Sequence, residues 1–202
     1  MKKVMMILLV SLISLSIFTS CSDDSTNPSE SGNYLYPVSD QNLNWGFINN
    51  EGELKISYQY DFANVFDDTF IPASGEPLAA IEMNEKVGYV NKSGELKINP
   101  QFESGHMFYE GMAKIKMNEL YGFIDKSGLI KIYPIYDWAY HFSEGLCYVE
   151  DENTVKFIDK SGKTVISNPQ FRSSGWEFSE GLAAVKINDK WGYIDKAGKI
   201  QI

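Results

Sequence analysis

The sequence predicts an all-β repeat protein, and three observations carry the prediction. The stretch Lys190-Trp191-Gly192-Tyr193-Ile194-Asp195-Lys196-Ala197-Gly198 has four counterparts upstream, closing on Gly52, Gly94, Gly128 and Gly162. The closing glycines step by 42, 34, 34 and 36 residues, and a period of this size marks a repeat architecture. Between them apolar and polar residues alternate with a period of two, the pattern of half-buried strands. About four to five units of roughly 35 residues are expected, built as β-hairpins and meanders with no room for ordinary helices.

In chain order, the first segment is not part of that array. Lys2 and Lys3 precede an apolar run from Val4 to Phe18, which ends in Thr19-Ser20 before Cys21. A positive start, an apolar stretch and small residues describe a secretory signal over residues 1–20. The run is shorter than the roughly 20 apolar residues that a membrane span needs. Phe18-Thr19-Ser20-Cys21 resembles the lipobox of bacterial lipoproteins, with Phe18 where such boxes usually carry Leu. That resemblance implies lipidation of Cys21 and attachment to the membrane through the lipid. The alternative is an ordinary signal peptide cleaved near Ser20. Residues 21–33 hold no apolar run and read as a flexible tether. Ser22-Asp23-Asp24 after the cysteine resembles outer-membrane lipoproteins, some of which are surface-exposed.

Without residues 1–20 the chain carries 16 basic and 27 acidic residues, a net of about −11. Nucleic acid and anionic headgroups both require basic surface and are disfavoured as partners. With Cys21 acylated, Cys147 is the one remaining thiol, so the core of residues 34–202 must hold the fold without an intrachain disulfide.

Each unit within 34–202 has the same parts. The turn reads Asn49 to Gly52, Asn91 to Gly94, Asp125 to Gly128, Asp159 to Gly162 and Asp195 to Gly198. Asp or Asn first and Gly fourth suit a type I turn closing into a glycine bulge. Alternating strands follow, such as Leu96-Lys97-Ile98 and Ile130-Lys131-Ile132, and Pro100, Pro134 and Pro169 are expected to end them. Tyr60, Phe102, Tyr136 and Phe171 come next, then Phe66, Phe108, Phe142 and Phe178. A third strand, such as Leu182-Ala183-Ala184-Val185, closes the unit and returns to the Trp-Gly strand. In the first unit, residues 67–78 form a longer connection.

Trp191-Gly192-Tyr193-Ile194-Asp195-Lys196, then Ile98-Asn99-Pro100-Gln101-Phe102, then Phe178-Ser179-Glu180-Gly181-Leu182 together resemble the WG (KWG) repeat family of bacteria. The resemblance spans residues 33–202. It implies a β-hairpin repeat array and no catalytic motif, and it supplies no function. Departures fall at Val87, Tyr121 and Val155 in place of Trp and at Lys156 in place of Gly. The partial units at either end could complement each other and close the array, or each could cap an open, curved one, and the open array is the expectation.

No metalloprotease, nucleophile-elbow, phosphate-loop or Cys-x-x-Cys signature is present, and His106 and His141 are the only histidines. No enzyme activity, cofactor or metal is expected. The recurrent Glu110, Glu144 and Glu180 could be imagined as paired acids for sugar chemistry, but recurrence once per unit assigns them to the repeat. Cys147 shares a column with Ala79, Ala113 and Ala183, which predicts a buried, inert thiol. One column varies while its frame repeats: Asn64, His106, Tyr140 and Trp176. With Trp138 nearby, it makes His106, Trp138, Tyr140 and Trp176 the candidate binding residues, placed on a connection between strands. Local packing beneath a loop is the competing role. The expected function is a cell-envelope lipoprotein whose array binds a protein partner. A surface glycan-binding module is the alternative, favoured if those aromatics stand exposed on one face.

Overall fold

The chain divides after Ser31, and the computed structural model describes residues 34–69, 75–152, 154–168, 171–174 and 177–201, all within the second unit. Cys21 and residues 1–33 lie outside the described residues, as do Pro169 and Trp176. Eighteen strands and no helix occur among the described residues.

The strands form five antiparallel sheets in series, and none closes into a barrel. The first sheet holds β1 (Tyr36–Ser39), β2 (Trp45–Ile48) and β3 (Leu54–Tyr60). The second holds β4 (Phe62–Phe66), β5 (Leu78–Met83), β6 (Lys86–Asn91) and β7 (Leu96–Phe102). The third holds β8 (Ser104–Tyr109), β9 (Met112–Met117), β10 (Leu120–Asp125) and β11 (Ile130–Tyr136). The fourth holds β12 (Trp138–Ala139), β13 (Leu146–Asp151), β14 (Thr154–Asp159) and β15 (Thr164–Ser167). The fifth holds β16 (Phe171–Ser174), β17 (Leu182–Ile187) and β18 (Lys190–Asp195).

Each complete sheet is therefore a four-stranded meander, one strand more than the sequence suggested. The additional strand is β4, β8, β12 or β16, in the segment that reads as a connection. Its apolar residues do not alternate, because a register shift between Gly105 and Phe108 breaks the pairing of β8 with β9. The same irregularity separates Ala63 from Phe66 in β4. A bulge of this kind erases the period of two.

Two kinds of turn hold the meanders. At the Asp-Lys-Ser-Gly turns, Asp125 Oδ1 accepts from the backbone N–H of Ser127 (2.9 Å) and Leu129 (3.1 Å), and Gly128 takes φ +84°. Elsewhere two residues with positive φ join the strands: Asn84-Glu85, Asn118-Glu119 and Asn188-Asp189, together with Glu110-Gly111, Glu144-Gly145 and Glu180-Gly181. This is the backbone twist that two-residue hairpins require.

Pro100 and Pro134 do not end their strands; they lie inside β7 and β11. Gly122 of β10 faces three residues, because Tyr121 pairs with Tyr136 and Phe123 with Ile132. A Cβ at Gly122 would stand 2.6 Å from the Ile132 carbonyl oxygen and 2.6 Å from the Pro134 nitrogen. The glycine of the Trp-Gly pair is thus required by a bulge in the neighbouring strand, and the proline sits where the ladder asks for no donor. Where Lys156 replaces that glycine the bulge is gone: Lys156 pairs with Ser167 and Phe157 with Ile166 in direct succession.

The core is divided into four parts, one between each pair of consecutive sheets. Each has an aromatic pair at its heart: Phe47 with Phe66, Tyr89 with Phe108, Phe123 with Phe142 and Phe157 with Phe178. The small column, Ala79, Ala113, Cys147 and Ala183, is buried throughout.

Candidate binding pocket

The first strands of the second, third and fourth sheets converge on a cavity of about 540 Å³. Asn64 and Val65 come from β4, and His106, Met107 and Tyr109 from β8. Trp138 comes from β12, with Tyr140 and His141 just beyond it, and Lys114 reaches in from β9. Three members of the varying column, Asn64, His106 and Tyr140, and the candidate Trp138 are brought together here. Of the candidates, His106 and Trp138 sit on strands rather than on a loop. Trp176 lies outside the described residues, and so does the lipidation candidate Cys21.

The walls are fixed from behind. Buried Tyr89 donates its hydroxyl proton to the His106 carbonyl at 2.9 Å, which anchors β8 to the sheet before it. A Cβ at Gly105 would stand 2.7 Å from that hydroxyl oxygen, so glycine is what lets β8 approach so closely. Tyr109 stacks on His141 with ring centroids 3.9 Å apart, and Tyr140 packs against the same imidazole at 4.4 Å. His141 Nε2 lies 2.5 Å from Glu177 Oε2. Trp138 meets Tyr121 edge to face and remains 43% exposed, leaving a ring open to the cavity.

Lys114 is the residue that sequence reasoning missed. It is 8% exposed. Its Nζ donates to the Ala139 carbonyl at 2.9 Å and lies 4.9 Å from the Trp138 ring centre and 5.2 Å from that of Tyr121. Burial pushes its pKa down. Loss of hydration, with Lys114 and His141 close by, also holds the His106 imidazole below its usual range. Burial lowers His141 as well, against the opposing pull of Glu177. The signal available in the sequence was the column itself, where Lys114 stands among Ala80, Tyr148 and Ala184.

The recurrent glutamates lie elsewhere. Glu110 accepts the backbone N–H of Gly145 at 3.0 Å and meets Lys160 Nζ at 3.1 Å. Glu144 repeats the arrangement with Gly181 at 3.0 Å and Lys196 at 2.9 Å. Among the described residues no three His, Cys, Asp or Glu side chains are grouped to hold a metal ion. Cys147 is buried and its thiol is pushed up by loss of hydration.

The model of the WG containing repeat matches residues 45–86, 88–121, 121–154 and 157–191. No curated protein matches the chain in sequence. Among solved structures, a eukaryotic initiation factor is 10% identical at a TM-score of 0.50, covering 81% of this chain and 49% of its own, a likeness of fold alone. A streptogramin B lyase is 16% identical at a TM-score of 0.44, covering 87% and 70%. A catalytically inactive virginiamycin B lyase from Staphylococcus aureus, with quinupristin, is 17% identical at 0.45, covering 87% and 71%.

Proposed function

The chain belongs to the WG repeat family, and from that premise we propose that it is a non-catalytic, lipid-anchored binding protein of the cell envelope that takes a glycan in this pocket. The observation that carries the reading is the convergence of His106, Trp138 and Tyr140 on one cavity of about 540 Å³. That volume falls within the roughly 300–1,000 Å³ of small-ligand sites. An open indole, a tyrosine and two imidazoles suit the apolar face and hydroxyl rim of a sugar. A concave pocket favours a saccharide over the flat contact of a protein partner.

The non-catalytic part is supported by the engagement of Glu110 and Glu144 with neighbouring repeats. The anchor and the envelope location are supported by the sequence around Cys21. Screening the full-length protein on an array of envelope and plant oligosaccharides tests the binding. Retention of at least one saccharide, lost in Trp138→Ala and Tyr140→Ala with unchanged melting, is expected. Recovery of a protein partner by cross-linking, with no saccharide retained, would replace the glycan by a protein. Palmitate labelling that survives Cys21→Ala would remove the anchor.

A further inference from the structure

Lys114 is a buried cation in a chain whose acids outnumber its bases, yet no carboxylate lies within ion-pair distance of it among the described residues. An ammonium taken out of water without a counter-charge is costly. The rings of Trp138 and Tyr121 offset part of that cost through their negative faces. The Ala139 carbonyl satisfies one of its three N–H donors. Ala80, Tyr148 and Ala184 fill the equivalent position in other repeats, so the fold itself does not ask for a lysine there. Glu177 is engaged by His141, whose imidazole carries Tyr109 stacked on it and Tyr140 tilted against it.

We propose that Lys114 is the charge partner for a carboxylate-bearing sugar, so that the pocket selects uronic or other sugar acids over neutral glycans. This rests on the glycan reading above. The carboxylate would accept from the donors of Lys114 that Ala139 leaves free, with the sugar ring lying on Trp138.

The test compares oligogalacturonides with their methyl esters, which differ in charge but not in ring or hydroxyl pattern, by calorimetry on the full-length protein. The free acid should bind roughly tenfold or more tightly than the ester, the effect of one charge-assisted hydrogen bond. Lys114→Met should bind acid and ester alike, and Lys114→Arg should keep the preference. Trp138→Ala should weaken both forms together. Equal binding of acid and ester by the unmodified protein overturns the role of Lys114 while leaving the glycan reading in place. Binding of neither form, with no saccharide retained on the wider array, overturns both. The acid and ester comparison needs no variant, so a folding defect in Lys114→Met does not obscure it.

Discussion

The carboxylate of Glu144 accepts a hydrogen bond from the backbone N–H of Gly181, 3.0 Å away and one repeat further along the chain. Glu144 itself has φ +50°, a left-handed conformation that a non-glycine residue adopts at a cost. The bond to the next repeat is what makes that strain worth keeping, and Lys196 completes the clamp. Glu144→Gln, which retains an acceptor, should lower the melting temperature least. Glu144→Gly should come next, because it loses the bond but relieves the strain. Glu144→Ala should be worst, losing the bond and keeping the strain. Calorimetric melting of the three variants checks the order; an alanine variant more stable than the glycine one contradicts it.

Gly128 carries two demands at once. Its φ of +84° suits glycine, and an added Cβ would meet Ile98 of the preceding repeat at 3.3 Å. Gly52 has the same backbone, at +83°, with nothing within 4 Å. Gly52→Val should therefore show only the backbone cost, about 1–3 kcal/mol. Gly128→Val should lose more, because it also displaces Ile98 from the core. Denaturant unfolding of the pair gives the difference; equal losses would show that the contact between repeats is worth nothing.

Gly122 and Lys156 occupy the same place in successive repeats and should answer substitution in opposite ways. Gly122→Lys drives a Cβ into the Ile132 carbonyl and Pro134 and should unfold the third sheet. Lys156→Gly meets no such bulge. It should cost only about 0.5–1 kcal/mol of strand preference, besides a half-buried ion pair with Asp151. Circular dichroism and thermal melts distinguish them.

The turn aspartates link stability to acid. Hydrogen bonds from Ser161, through its hydroxyl (2.6 Å) and its backbone N–H (2.9 Å), with one from Lys163 N–H, hold the Asp159 carboxyl below its ordinary range. A depressed folded-state pKa stabilises above the unfolded value near 3.9, and that contribution is lost as pH falls through the lower folded value. Asp159→Asn keeps the turn, as Asn91 does in its own repeat, but removes the titration. The stability gap between the parent and this variant should be constant from pH 6 to about 5 and shrink below pH 4. Melting curves across that range test it; a gap that stays constant at low pH rejects the assignment.

The legible parts of the fold were the local ones. The Asp-Lys-Ser-Gly turns and the strands on either side follow from side-chain caps, positive φ and alternation, all written within a few residues. Strands β4 and β8 were hidden because a bulge in each cancels the alternation, and the prolines misled because the bulges opposite Gly88 and Gly122 leave places in a strand where no N–H is needed. The pocket was half legible. His106 and Tyr140 stood out as departures from a repeating frame, whereas Lys114 lay in a strand whose other members are core residues. Its column showed the anomaly; nothing in the sequence showed that three sheets meet around it.

The sequence repeat and the sheet are out of phase: one 34-residue step, from Gly94 to Gly128, begins in the second sheet and ends in the third. Excising residues 95–128 would join β6 to β11 through an intact turn and leave a complete four-stranded meander at the seam. Duplicating the same stretch would add one. Such an array can lengthen or shorten by recombination between any two matching points without ever passing through a broken sheet. Natural variation can thus alter the number of sheets, and so the number of grooves between their first strands, independently of what lines each one.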